Sequence, residues 1–135
     1  MNVRRVIVGA TLATALGGLF LVSPATAAPE GTQACATKSL TTGYQKAGTT
    51  VSKSSSSSCN DLNLTYSNDS TSTYGDSYRG FYKTSSGWKG GSRGYIWASD
   101  GSHSPWIVLL SDVAGGTTMG VGSEIDGGDS VTVAH

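Results

Sequence analysis

The sequence is short of charged residues, and this shortage argues against two classes of partner. Of its 135 residues, 9 are basic and 9 are acidic, so the formal net charge is zero. Proteins that bind nucleic acids or anionic membrane surfaces through electrostatics carry a clustered excess of basic residues. We therefore expect neither nucleic acid nor a membrane as the main partner.

The one long apolar stretch lies at the N-terminus and predicts a signal peptide. Two arginines precede an almost wholly apolar run over residues 6–22, and Ala-Thr-Ala at residues 25–27 offers the small residues that a signal peptidase recognises. A transmembrane anchor is the alternative, but the run is short, contains two glycines and ends at a cleavage-like site. The predicted organisation is a signal peptide, residues 1–27, and one secreted domain, residues 28–135.

Cysteine is scarce, since the chain contains only Cys35 and Cys59. Two cysteines in an exported protein imply one disulfide. The alternatives are two free thiols or half of a metal site, but no further cysteine or histidine lies close to them in sequence. Closing a loop of this length would stabilise the fold by about 3 kcal/mol in the chain-entropy model.

No segment of the secreted part shows a helical period of apolar residues. We count instead seven or eight short strands at intervals of roughly ten residues, joined by Gly, Ser and Asp turns, a spacing typical of an antiparallel β-sandwich or small barrel. At the centre, apolar runs over residues 95–98 and 106–110 flank a turn at Asp100 and Gly101. We expect these two runs to pair as a hairpin.

Two further segments alternate between apolar and polar residues, as half-buried strands do. In residues 61–66 the alternation predicts Leu62, Leu64 and Tyr66 on one face. Residues 76–84 form the second such strand. A closing strand is expected over residues 130–134.

Catalytic motifs are missing as well. The chain has two histidines, and His103 is flanked by Ser102 and Ser104, with Asp100 three residues before it. Residues so close on one loop rarely form a catalytic triad, and no Gly-x-Ser-x-Gly motif or phosphate-binding Gly-rich loop is present. No pair of carboxylates is favoured by spacing for glycoside hydrolysis. We therefore predict no catalytic residue and no cofactor.

A metal site has weak support from one acidic loop. Glu124, Asp126 and Asp129 cluster in a segment that contains glycines, and hard cations such as calcium require several converging oxygens. The EF-hand pattern is absent, and Asp-Gly-Gly-Asp is also an ordinary hairpin turn.

The most distinctive feature is a group of aromatic residues in a polar, Gly-rich part of the chain. Within residues 76–84, alternation predicts Tyr78, Gly80 and Tyr82 on one face and Arg79 and Phe81 on the other. An exposed row of rings can stack on sugars, whereas the alternative is that the rings cover a thin core. The candidate ligand-binding residues are Tyr74, Tyr78, Tyr82, Trp88 and Arg79.

The organisation of the chain resembles that of small exported proteins of actinobacteria, and spore-associated secreted proteins of that group are the nearest comparison. The resemblance is carried by Ala-Thr-Ala-Ala-Pro at residues 25–29, by one early cysteine pair and by a β-rich remainder with many Tyr, Gly and Ser residues. It implies a secreted, extracellular protein, and no functional residue transfers from it.

Three classes of function follow from these observations. We expect a non-catalytic binding or cell-surface module whose partner is a polysaccharide or an extracellular protein. The alternative is a secreted inhibitor of a hydrolase, a protease or an amylase, with residues 99–105 as the presenting loop. A small hydrolase comes last, because no acid–base pair is evident.

Overall fold

A computed structural model describes residues 35–71 and 74–135 of the chain. The predicted signal peptide lies outside the described residues. Within the described residues the chain forms strands and no helix, and therefore no helix long and apolar enough to cross a membrane. The strands are β1 (Thr37–Thr41), β2 (Gly43–Tyr44), β3 (Thr50–Ser52), β4 (Leu62–Asn68), β5 (Gly75–Thr84), β6 (Gly87–Gly90), β7 (Ile96–Ser99), β8 (Gly101–Leu110), β9 (Thr118–Ser123) and β10 (Ser130–Ala134).

The strands form two sheets. The four-stranded sheet has the order β1-β10-β4-β8, and all of its neighbours are antiparallel. The six-stranded sheet has the order β2-β9-β5-β6, with β3 beside β9 and β7 beside β5, and only β2 pairs in parallel. The sheets enclose one core and curl into a half-open barrel, which confirms the prediction of an all-β sandwich or small barrel.

The core is filled by alternate residues from both sheets. Burying one large apolar side chain contributes roughly 1.5–3 kcal/mol, so the apolar core is the main source of stability. The largest fully buried apolar side chains are Tyr78, Leu62, Leu64, Leu109, Met119, Val121, Val131 and Val133.

The predicted central hairpin is wrong, because its two strands belong to different sheets. β7 pairs with β5, whereas β8 pairs with β4. Asp100 is the single residue between β7 and β8, and a connection of one residue is too short for a hairpin loop. Gly101, with a φ of 119°, lets the chain turn there from one sheet into the other.

A β-bulge overturns one prediction about β4. Val133 and Thr132 of β10 are consecutive, but they pair with Leu64 and Tyr66 of β4, so Thr65 is an extra residue in β4. The bulge shifts the alternation by one residue. Leu64 therefore stays in the core, while Tyr66, predicted on the same face, is 38% exposed.

The predicted disulfide between Cys35 and Cys59 is confirmed, with the two Cα atoms 5.5 Å apart. Cys35 precedes the edge strand β1, and Cys59 precedes β4 on the same sheet. The buried Lys53 ammonium donates hydrogen bonds to the carbonyls of Cys59 and Ser54. The disulfide thus fastens the first strand of the described chain to the centre of the four-stranded sheet.

Candidate functional site

The row of tyrosines predicted on one face of β5 does not lie on the surface. Tyr78 is fully buried, and Tyr82, on the same face, packs partly buried against the core. Above Gly80, between them, lies the Leu110 side chain, whose Cγ would be 2.6 Å from an added Cβ. The alternation over residues 76–84 is therefore right, and of the two alternatives for Tyr78 the structure shows the one in which its ring covers the core.

The neighbouring strands decide which face of β5 is buried. On the Tyr78 side, β9 places Met119 and Val121. On the opposite side, β9 offers Gly120 and Gly122, which have no side chains to build a core. Since a core needs apolar volume from both partners, the strand buries the face of Tyr78.

The opposite, outer face of β5 is bordered by two exposed tryptophans. Trp97 of β7 is paired with Ser77 and is 57% exposed, and Trp88 of β6 is paired with Lys83 and is 42% exposed. Both strands flank the same edge of β5, so the two indoles lie on one side of one sheet. Six residues of strand separate their partners, a distance of about 20 Å.

Two further rings lie between these tryptophans, on either side of Arg79. The Arg79 guanidinium carbon is 5.7 Å from the ring centroid of Phe81 and 5.7 Å from that of Tyr95, within the range of a cation–π contact. Its Nε donates a 2.9 Å hydrogen bond to the Gly91 carbonyl, which fixes the side chain across the sheet. Gly90 leaves the space for it, since an added Cβ would lie 2.6 Å from the guanidinium carbon.

We call this surface the aromatic strip. The phenol of Tyr95 in this strip stays neutral near pH 7. Burial raises its pKa, although the Arg79 charge acts in the opposite direction. On the β9 side the strip is bounded by residues 46–49, whose backbone passes over Gly120 and Gly122. The aromatic strip consists of Phe81, Trp88, Tyr95, Trp97 and Arg79.

Of the predicted ligand-binding residues, the structure brings only Arg79 and Trp88 to this strip. Tyr74 is 86% exposed, but it precedes β5 and lies about 30 Å along the strand from the Trp88 end. Trp97 and Tyr95 are not among the predicted ligand-binding residues, because the sequence pattern places them in the central hairpin. The signal that could have found them is the alternation of glycine in residues 118–123, which marks the face that cannot be core.

A second cluster of functional groups lies where the chain passes between β4 and β5 and between β9 and β10. Four aspartates each place a carboxylate oxygen within 4.8 Å of the others, and three of them are buried. The sequence predicted two of these residues; the third predicted residue, Glu124, is exposed and lies outside the cluster. We call this the acidic cluster, and it consists of Asp69, Asp76, Asp126 and Asp129.

Two aspartates of the acidic cluster, Asp126 and Asp129, are disfavoured as carboxylates by burial and by their neighbours. Burial raises the pKa of Asp126, and the neighbouring carboxylates raise it further. Burial also raises the pKa of Asp129, against the effect of the 2.8 Å hydrogen bond from the Ser70 amide. The Asp76 carboxylate accepts hydrogen bonds from two backbone amides, that of Ser77 at 2.6 Å and that of Ile125 at 3.1 Å.

His103 does not join the residues that flank it in sequence. Its Nε2 lies 2.9 Å from the hydroxyl of Ser67, which is fully buried and donates to the Ser99 carbonyl at 3.3 Å. The Asp100 carboxylate instead accepts a hydrogen bond from the Asp69 amide at 2.8 Å. These contacts fasten β8 to β4. The expected presenting loop over residues 99–105 is also not formed, because β8 begins at Gly101.

A cleft of about 380 Å³ opens beside the end of β8. Tyr82, predicted to bind a ligand together with Tyr78, lines this cleft with Leu110, Asp112 and Val113. The cleft is separated from the aromatic strip by the thickness of the six-stranded sheet, because Tyr82 lies on the inner face of β5.

No protein-family model matches this sequence, and comparisons with characterised proteins and with solved structures found no match. The two sites are therefore the features of the chain that point to a function.

Proposed function

We propose that the protein is an exported, non-catalytic binding domain and that its aromatic strip binds a polysaccharide chain. The observation that carries this proposal is the pair of exposed tryptophans at the two ends of one sheet face, with Tyr95 and Phe81 between them. Isolated exposed apolar residues are ordinary, but a contiguous row on one face is typical of a binding surface.

The spacing of the strip suits a repeating ligand. Successive outward positions of a strand are about 7 Å apart, so the rings form a line along β5 rather than a pocket. Aromatic faces stack on the apolar faces of sugar rings, while Arg79 and the exposed Lys83 offer hydrogen-bond donors to hydroxyl groups. Three of the four rings belong to strands, and Tyr95 directly precedes β7. The rings are therefore held in position before the ligand arrives, which lowers the entropic cost of binding.

Export is supported by two features. The N-terminal sequence has the pattern of a signal peptide, and disulfides such as Cys35–Cys59 form and persist in oxidising compartments. An exported binding domain would meet cell-wall or plant polysaccharides outside the cell.

Retention on insoluble polysaccharides tests the proposal. The purified domain is incubated with cellulose, chitin, xylan and peptidoglycan, and the bound fraction is measured for the wild type, Trp97→Ala and Trp88→Ala. We expect at least one polymer to retain the wild type, and each substitution to weaken retention about tenfold, equivalent to about 1.4 kcal/mol.

Trp106→Ala is the matched control, because Trp106 is also exposed, at 46%, but belongs to the four-stranded sheet. It should leave retention unchanged. Equal loss in all three variants, or no retention of the wild type on any polymer, would reject the strip as a polysaccharide site.

A further inference from the structure

We propose that the acidic cluster binds a calcium ion, which links the connection between β4 and β5 to that between β9 and β10. The four carboxylates come from three places in the chain and converge within 4.8 Å. Two oxygens on opposite sides of a calcium ion at about 2.4 Å each are separated by about 4.8 Å. One ion can therefore contact an oxygen from every member of the cluster.

Buried polar atoms without partners point to a missing ligand at the cluster. Tyr78 is fully buried beside Asp129, and its hydroxyl forms no hydrogen bond of ordinary geometry among the described residues. Asp129 is also fully buried, and its Oδ2 has no hydrogen-bond partner in that same part of the chain. Leaving buried polar atoms unpaired costs about 1–3 kcal/mol each, so such atoms usually mark an ion or water.

No cationic side chain of the described residues balances the charge of the cluster. Among residues 35–71 and 74–135, no lysine, arginine or histidine forms an ion pair with these aspartates. Buried carboxylates are tolerated when they are paired with a cation or coordinate a metal. The alternative is that the carboxyl groups share protons, which a cation would have to displace on binding.

The remaining hydrogen bonds hold the carboxylates in place. The amides of Ser77 and Ile125 donate to Asp76, and the amide of Ser70 donates to Asp129 at 2.8 Å. The Asp69 carboxylate accepts from both the amide and the hydroxyl of Thr71. These donors occupy some oxygens of the cluster and leave Asp126 Oδ1 and Asp129 Oδ2 unpartnered.

The donor set favours calcium over other divalent ions. All the side-chain donors are hard carboxylate oxygens, with no thiolate or imidazole in the group, which argues against zinc and copper. Calcium accepts irregular geometry and six to eight oxygens, whereas magnesium requires near-octahedral geometry and tends to retain its water. An ion here would join Asp76 of the six-stranded sheet to Asp129, which directly precedes β10 of the four-stranded sheet.

The first test is calcium binding by the purified wild-type domain, after treatment with a chelator. Isothermal titration with calcium chloride should show one site per chain, and thermal unfolding should shift upward by about 10 °C at a hundredfold excess over Kd. Magnesium at the same concentration should give a much smaller shift. The assignment of calcium would be overturned if calcium at millimolar concentration, in 10-fold excess over the protein, gave neither binding nor a thermal shift. Equal shifts with calcium and magnesium would also overturn it.

The second test locates the ion with a pair of matched substitutions. Asp126→Asn keeps the shape of the side chain and should reduce calcium affinity at least tenfold. Glu124→Gln removes one negative charge from the same loop, but Glu124 is exposed and outside the cluster, so affinity should be unchanged. Equal losses in both variants, or no loss in Asp126→Asn, would place the ion elsewhere and reject the site. If Asp126→Asn does not fold, Asp69→Asn takes its place with the same expected result.

Discussion

The two faces of β5 differ in what surrounds them, although they alternate along one strand. The inner face presents Tyr78 and Gly80 to a core of leucine, methionine and valine, and the Tyr78 side chain is fully buried. The outer face presents Arg79 and Phe81 beside exposed tryptophans, with glycines on the neighbouring strand β9. Two aromatic residues of the same strand, Tyr78 and Phe81, therefore have different roles: the first belongs to the core and the second to the outer surface.

This difference shows that the partners of a strand, rather than the strand itself, decide which face is buried. β9 supplies apolar side chains to one face of β5 and only glycines to the other. The inner face should therefore control stability, and the outer face should control binding.

The largest effect is expected from Tyr78→Ala on the inner face. Removing this fully buried ring should destabilise the domain by about 3–5 kcal/mol, as large-to-small changes in aromatic core residues do. Chemical denaturation measures the loss. Tyr78→Phe is the control: it removes only a hydroxyl without a partner among the described residues, so we expect it to be neutral or slightly stabilising. A small loss in Tyr78→Ala would contradict the placement of Tyr78 in the core.

A smaller effect is expected when glycines on the two faces are compared. In Gly80→Ala the new methyl group meets Leu110 at 2.6 Å and Leu109 at 3.1 Å, inside a packed core, and should cost about 1–3 kcal/mol. In Gly90→Ala the nearest atoms are those of the Arg79 guanidinium, which must leave its hydrogen bond to Gly91 and move toward solvent, so the loss should be at most about 1 kcal/mol. Equal losses in the two variants, measured by denaturation, would break the distinction between the faces.

The next effect concerns pH. Burial, reinforced by the charge of Asp129, raises the pKa of Tyr78 far above its ordinary value of about 10. Because the folded state holds this proton more tightly than the unfolded state, the stability it contributes is present below about pH 10 and is lost as the pH rises further. Melting temperatures between pH 8 and pH 11 should therefore fall more steeply for the wild type than for Tyr78→Phe. Parallel curves would show that the Tyr78 phenol does not titrate differently in the two states.

The smallest change in stability is expected for the tryptophans of the outer face. Trp97→Ala and Trp88→Ala should alter the free energy of unfolding by less than about 1 kcal/mol, since each side chain is about half exposed and lies outside the core. Thermal unfolding of these variants, recorded beside their retention on polysaccharide, separates binding from folding. A loss of several kcal/mol would mean that the strip is structural.

Several features could be predicted from the sequence because they depend on local pattern. The cysteine pair, the turn spacing and the alternation over residues 76–84 predicted the disulfide, the all-β class and the two faces of β5. Which face of β5 packs into the core depends on β9, which lies about 40 residues further along the chain. No local pattern in β5 encodes this.

Pairing between distant segments explains the other differences. The apolar runs of β7 and β8 look like hairpin partners, but each pairs with a different strand across a one-residue corner. In the acidic cluster, Asp129 and the amide of Ser70 are 59 residues apart in sequence. In the sequence, Asp69 and Asp76 look like ordinary turn residues, and only the fold places them next to Asp126.

The most direct test of the account uses the three tryptophans of the wild-type protein as reporters. Their indole N–H signals are followed by two-dimensional NMR while a soluble oligosaccharide of the retained polymer is added. The account predicts that the signals of Trp88 and Trp97 shift together with one affinity, while that of Trp106, on the other sheet, stays in place. A shift confined to Trp106, or saturation of binding without any movement of Trp88 and Trp97, would contradict the outer face of β5 as the binding surface.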